Sequence, residues 1–304
     1  MFKGIALVFL GACSFGILST FVKLAYKDGY TLGDVTGTQV LFGFILLWLI
    51  VLVRHLFGAK GAPSTLSEKI KLASMGTSTG LVSIFYYKCV QMVPASVAIL
   101  LLMQFTWMTL VFDAIIKRKM PTFVQALTVV IVLLGTALAG RLFADKLPDF
   151  EIEGLFYGLL AALCYTVFLT VNGAAGNKMH PTTKSALILT GACVLVMSVF
   201  PPQFLWNGAL QTGLWKWGII LAVFGTVIPP LFFAYGIPRT GLSLSAILSA
   251  AELPVAVLMS SIVLQENVGP IQWLGVALIL AAIIFSNMHS HRQKKKQQRI
   301  LATT

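Results

Sequence analysis

The chain has 304 residues, of which 58% are hydrophobic and 11% charged, against roughly a quarter charged in a soluble domain. That balance excludes an ordinary soluble enzyme, a disordered chain and a disulfide scaffold. A water-soluble fold of this length cannot hide so much apolar surface, so lipid must be the solvent for most of it. The formal net charge of +12 would suggest nucleic acid in a soluble protein; here it reads as membrane topology, with no nucleic-acid partner.

A hydrocarbon core about 30 Å thick needs about 20 mostly apolar residues per helix. Apolar runs between turn signals predict ten spans, at 4–26, 34–54, 70–91, 94–116, 121–143, 154–176, 183–203, 214–236, 242–264 and 270–289. Pro94, Pro121, Pro148, Pro181, the Pro201–Pro202 pair and Gly269–Pro270 punctuate the connectors. The expected fold class is an all-α integral membrane protein.

The distribution of Lys and Arg sets the orientation. With a cytoplasmic N-terminus, sixteen of the 22 basic residues fall on inner segments: Lys3, the 54–71 region, Lys117–Lys119, Lys178, Lys184, Arg239 and the tail. Four fall outside (Lys27, Arg141, Lys146, Lys216), and Lys23 and Lys88 lie within spans. Both termini are therefore expected in the cytoplasm of a bacterial-type inner membrane, with 291–304 a basic cytoplasmic tail in reach of lipid headgroups. Most acids, including Asp28, Asp34, Asp145, Asp149, Glu151 and Glu266, fall outside. Leu10-Gly-Ala-Cys13 loosely resembles a lipoprotein cleavage site, but the apolar run continues past it. Cys13, Cys89, Cys164 and Cys193 all lie in apolar runs without metal or disulfide spacing and read as small packing residues.

The sequence repeats weakly at an offset near 150. Leu10-Gly-Ala-Cys13 pairs with Ala161-Ala-Leu-Cys164, Tyr87 with Tyr235, Ala98-Ile-Leu with Ala246-Ile-Leu, Gln104 with Glu252, and Gln125-Ala-Leu with Gln272-Trp-Leu. Each half, 1–145 and 150–290, would hold five spans. Five is odd, so the second copy must be inverted, the construction of many secondary transporters.

These residues also carry a resemblance. Tyr235-Gly-Ile-Pro-Arg-Thr-Gly through Glu252-Leu-Pro254, then Leu264-Gln-Glu266 and Gln272-Trp-Leu-Gly275, resemble the penultimate helix, acidic turn and last helix of the ten-helix EamA family in the drug/metabolite transporter superfamily. Tyr87 through Pro94-Ala-Ser-Val-Ala resembles the first copy, which departs at Lys117-Arg118-Lys119, where the family usually has Glu. The resemblance implies a metabolite carrier. It also implies a binding site walled by helices one, three, four, six, eight and nine, with amino acids or related compounds as substrates and export as the direction.

Glu252 lies ten residues into its span, near the midplane. An ionised acid at such a depth costs about 2.5–3.5 kcal/mol on insertion scales. It must face a wet cavity, pair with a cation or be protonated, so it is either a proton-carrying coupling group or part of an interhelical hydrogen bond. Ser245, Ser249 and Glu252 share one helical stripe, and Pro254 should kink the helix and free the carbonyl of Ala250. Gln104, the repeat-mate, is a site candidate or helix glue, with Trp107 one turn on. Tyr165, Asn172, Tyr86, Tyr87 and Tyr235 are further pocket candidates, with interfacial aromatic anchoring the alternative for most of them. Lys23 and Lys88, near outer helix ends, either snorkel or form a cationic rim. Asp113 and Lys117 should pair at i, i+4. Pro229 and Pro230 should form a hinge or bend. Gly33-x-x-x-Gly37, Gly76-x-x-x-Gly80 and Gly154-x-x-x-Gly158 read as helix-packing faces.

No HExxH, Walker A or nucleophile-elbow motif is present, so no enzyme, metal or cofactor is expected. The expected function is alternating-access transport of a small polar or amphipathic metabolite, with protons a candidate coupling ion and a monomer or homodimer as the assembly. A lipid flippase on the same fold and a membrane-embedded enzyme acting on a lipid-linked substrate are the alternatives.

Overall fold

The computed structural model describes residues 2–57, 64–93, 95–139, 152–265 and 267–303, and those residues are mostly helical, joined by short turns, with no strands among them. The connector 58–63, Pro94, the stretch 140–151 (with Arg141, Lys146, Asp145, Pro148, Asp149 and Glu151) and Glu266 lie outside the described residues.

Helix α1 spans Phe2–Lys27 and α2 spans Leu32–Leu56. At about 1.5 Å per residue both exceed the 30 Å hydrocarbon core. Thr31 starts α2 with a capping box: its Oγ1 accepts from the Asp34 N–H at 3.2 Å while Asp34 accepts from the Thr31 N–H at 3.0 Å. Thr65 and Glu68 repeat the device at the start of α3, Leu66–Met92. The predicted fourth span is two helices, α4 (Ala95–Leu102) and α5 (Phe105–Lys117). Then come α6 (Phe123–Ala139), α7 (Ile152–Ala174) and α8 (Pro181–Val199).

The predicted eighth span runs from 210 to 240 as a π-helical turn Leu210–Leu214, α9 (Trp215–Leu221), a second π turn Ala222–Val227 and α10 (Ile228–Thr240). Pro229 and Pro230 open α10, where missing N–H groups are tolerated, and the widened turn precedes them. The predicted ninth span is α11 (Leu242–Ser249) and α12 (Glu252–Val263). Helix α13 runs Pro270–Thr303, carrying the basic tail on the same helix.

Among the described residues, eight segments are long and apolar enough to cross a membrane, and Phe123–Ala139 is a shorter apolar helix. Helix α3 is long but not among the eight. It is rich in hydroxyls, which bond back to carbonyls of their own helix (Ser74 to Lys71, Thr77 to Ser74, Ser78 to Met75), and it packs extensively on α7 and α8.

Backbones approach closely where side chains are missing. A Cβ on Gly76 of α3 would fall 1.9 Å from the Ile188 carbonyl oxygen of α8, and one on Gly191 would fall 1.7 Å from that of Ala73. Gly33 and Gly37 meet Phe200 and Phe204, and Gly154 and Gly158 meet Val93 and Leu101. Of the three glycine pairs, Gly76 and Gly80 bring helix backbones together as their spacing predicted, whereas Gly33 with Gly37 and Gly154 with Gly158 chiefly seat side chains.

One end of the bundle gathers the start of α1 (Gly4 against Arg239), the end of α2 and the start of α8. There Arg54 contacts His180 Nδ1 at 2.6 Å and donates to Thr182, and the Tyr235 hydroxyl meets His180 Nε2 at 3.2 Å. Lys184 is buried, donating to the Asn172 carbonyl at 2.6 Å and to Asn177 at 2.9 Å. Asp113 pairs with Lys117 at 2.8 Å, as predicted, and also accepts from Ser243. At the opposite end Trp217 donates to Asp28 at 2.9 Å and Tyr30 meets Thr212 at 3.5 Å.

Candidate functional site

A cavity of about 50 Å³ lies between the two halves of the chain. The first half supplies Phe15, Gly16 and Ser19 from α1, Gln39 from α2, and Thr79, Ser83, Tyr86 and Tyr87 from α3, with Ile99 and Leu102 of α4. The second half supplies Tyr165 and Phe168 from α7, Gly225 and Thr226 from the π turn before α10, and Glu252 and Ala256 from α12. All the helices implied by the family resemblance contribute, and α2 is added through Gln39.

Glu252 is the single carboxylate among the described lining residues. It is the first residue of α12, just after the break at Ala250–Ala251. The break is tightened by short-range bonds: Ala250 N–H to the Ile247 carbonyl and Ala251 N–H to that of Leu248, both 3.2 Å. Pro254 cannot donate to the Ala250 carbonyl, but that oxygen is not left free as expected: the Leu253 N–H reaches it at 3.3 Å. A three-residue bond thus replaces the missing four-residue one. At a helix start the macrodipole favours negative charge. Gly16 of α1 makes this geometry fit, because a Cβ there would lie 2.4 Å from the Glu252 carbonyl oxygen.

The Tyr165 hydroxyl lies 3.5 Å from the Glu252 carboxylate, at the outer limit of a hydrogen bond. Tyr165 belongs to an aromatic group with Phe105 (4.4 Å between centroids), Phe168 (5.6 Å) and Phe15 (5.8 Å). Opposite, the Tyr87 hydroxyl donates to Gln39 Oε1 at 2.9 Å, which fixes the amide and directs its Nε2 donors elsewhere.

Four sequence candidates therefore meet at the cavity: Glu252, Tyr165, Tyr86 and Tyr87. The others do not line it. Gln104 sits at the break between α4 and α5, but its Nε2 donates to the Leu100 carbonyl at 3.0 Å and its Oε1 accepts from Trp107 at 3.0 Å. Trp107 is 41% exposed at the periphery. Ser245 bonds to Thr240 at 2.6 Å and to the Gly241 carbonyl at 2.7 Å. Ser249 is buried away from the cavity. Asn172 is buried with its Nδ2 on the Phe168 carbonyl. Lys23 and Lys88 are half-buried outside the lining. Pro229 and Pro230 are buried one turn beyond Gly225 and Thr226.

Sequence reading missed Gln39, Gly16, Gly225 and the hydroxyls of α3. Gln39 carried a signal: a buried amide within an apolar span requires a partner. Gly16 and Gly225 carried none, because a glycine in a hydrophobic run says nothing of what approaches it.

The apolar helices, and a mostly apolar cavity holding one carboxylate at the junction of the two halves, are those of a membrane transporter. The comparisons agree: the profile of the EamA-like transporter family matches residues 2–141 and again 152–288. The chain belongs to that family, within the drug/metabolite transporter superfamily. It is 25% identical over 266 residues to the threonine/homoserine exporter RhtA of Escherichia coli K12, covering 85% of this chain and 81% of the relative. It is 28% identical over 286 residues to an uncharacterized transporter of Archaeoglobus fulgidus, covering 93% and 96%. Among solved proteins, one crystal structure superposes with a TM-score of 0.74 over 95% of this chain and 98% of the other, at 13% identity, a likeness of fold.

Proposed function

We propose that the chain is a secondary carrier of ten membrane-crossing rods, built as inverted five-helix halves over 1–145 and 150–290, that exports a small amino acid or related polar metabolite. Each broken pair, α4–α5 and α11–α12, counts as one rod, as does 210–240. Two correspondences at the repeat offset support the halves. The breaks fall at Met103–Gln104 and Ala250–Ala251. The last helix of each half is capped alike, by Gln125 on the Thr122 N–H at 2.9 Å and by Gln272 on the Gly269 N–H at 3.0 Å. The gathering of Lys3, Arg54, Lys184 and Arg239 toward one end supports placing that end, with both termini, in the cytoplasm.

The observation that carries the reading is a carboxyl group at a helix break, facing a cavity to which both halves contribute. Broken helices at a repeat interface are where carriers hold substrate and coupling ions. Glu252 would exchange a proton for substrate, and rocking of the halves would expose the cavity to each side in turn. Lining of the cavity by helices from both halves, with its one carboxylate between them, favours a small solute over a lipid.

Flux of labelled L-threonine and L-homoserine, the compounds in the name of the E. coli relative, in vesicles under an imposed pH gradient tests this. The wild-type chain should accumulate substrate against its gradient. Glu252→Gln should lose the response to pH while unfolding as cooperatively as wild type. Unchanged gradient-driven flux in that variant would overturn the coupling role.

A further inference from the structure

We infer that the cavity selects its substrate by an ammonium group, held by the Glu252 carboxylate and the Gly225 carbonyl oxygen, and makes no charged contact with a substrate carboxylate. This rests on the carrier reading above and adds the chemistry of its substrate.

Three observations carry it. First, the described lining contains one carboxylate and no Lys, Arg or His. A cation entering gains a charge-assisted partner; an anion gains none and meets a like charge instead.

Second, the Gly225 carbonyl is an acceptor that its own helix leaves open, because the three-residue donor, the Ile228 N–H, bonds to the Val223 carbonyl instead. The four-residue partner of its carbonyl would be the N–H of residue 229 and the five-residue partner that of residue 230. Both are prolines and have no N–H. Gly225 lies inside the π turn Ala222–Val227, and it lines the cavity. Glycine is also the residue that fits here, since a Cβ would fall 2.6 Å from Gln39 Nε2 and 2.8 Å from Leu18 Cδ1. An ammonium has three donors and no acceptor, so one carboxylate oxygen and one carbonyl suit it.

Third, a substrate carboxylate finds only neutral donors in the described lining, such as Gln39 Nε2 and the hydroxyls of Ser19 and Ser83. These carry no net charge to offset the cost of desolvating an anion. Lys23 and Lys88 stand outside the lining.

The test is thermal unfolding of the purified full-length chain in detergent with three matched sets of probes: free amino acids, their carboxamides and their N-acetyl derivatives. A ligand that binds the native state raises the unfolding temperature by mass action. For every amino acid that stabilises the chain, the carboxamide should bind within about threefold, and the N-acetyl form should bind at least about tenfold more weakly. Glu252→Gln should abolish stabilisation by amine and amide alike, and Glu252→Asp should retain part of it. An N-acetyl form that binds as well as its parent, or a carboxamide that binds tenfold worse, overturns the ammonium rule while leaving the carrier reading intact. If no probe stabilises the chain the ammonium rule falls, and if pH-driven flux is also absent the carrier reading falls with it.

Discussion

The two helix breaks occupy matching places in the two halves and have taken opposite roles. At the first, Gln104 spends its amide locally, on the Leu100 carbonyl and the Trp107 indole. At the second, Glu252 faces the cavity, with the Tyr165 hydroxyl 3.5 Å away. An amide has donors and acceptors and can satisfy itself within one helix. A carboxylate has acceptors alone, and at this depth it needs a proton, a cation or water. The same break is therefore self-contained with glutamine and demands a partner with glutamate.

Chemistry at the breaks gives the sharpest way to test this contrast. Glu252→Gln makes the second break like the first and should lower gradient-driven flux by about a hundredfold, the scale of losing a positioned proton-transfer group. Gln104→Ala should leave flux within about twofold, because its bonds are local and lie outside the cavity lining. Comparable losses from both substitutions, measured in the same vesicles, would erase the distinction.

Packing beside the breaks should differ next. Gly16→Ala places a methyl group 2.4 Å from the backbone oxygen of Glu252, whereas Gly158→Ala meets the Leu101 side chain at 2.6 Å. Backbone yields less readily than a side chain, so Gly16→Ala should destabilise by about 2–3 kcal/mol and Gly158→Ala by about 1 kcal/mol. The order of the two unfolding temperatures checks this.

A smaller difference is expected at the caps of the last helices. Gln125 bonds to Thr122 alone, whereas Gln272 also donates to the Ala139 carbonyl of α6 at 3.1 Å. Gln272→Ala should cost about 1 kcal/mol more than Gln125→Ala, the value of one net hydrogen bond. Equal unfolding temperatures would show that the link from α6 to α13 contributes nothing.

The smallest effect concerns His180, which joins α2 of the first half to α8 and α10 of the second. Burial, and then the charge of Arg54, hold its imidazole below the usual 6.5. The unfolded chain therefore takes up a proton before the native one does. The contribution to stability is present above about pH 6.5 and is lost as pH falls through the native value. Because the ring is only half-buried and water still reaches it, the unfolding temperature should fall only slightly between about pH 7.5 and 5.5, and His180→Gln should flatten that slope.

Much of this was legible in residue order. Polar residues inside apolar runs marked Glu252, Tyr165, Tyr86 and Tyr87, and all four line the cavity. The repeat of Gln125 and Gln272 reflected a shared helix cap. Gln104 was legible as a polar residue but not as a peripheral one, because spacing does not say which side of a helix meets a cavity. The break between α4 and α5 was invisible: Leu100-Leu-Leu-Met-Gln-Phe holds neither Pro nor Gly. Pro254 announced the break between α11 and α12, although the carbonyl it was expected to free is taken by Leu253.

What residue order determined was the solvent, the helical class, the duplicated plan and the acid that cannot rest unpartnered in lipid, since each follows from local composition and the cost of an unmatched polar group. Which helices touch, where Gly16 lets α1 meet α12, and which polar groups share a cavity were decided by three-dimensional packing. Those facts depend on contacts between residues as far apart as 16 and 252, and no local pattern encodes such a meeting.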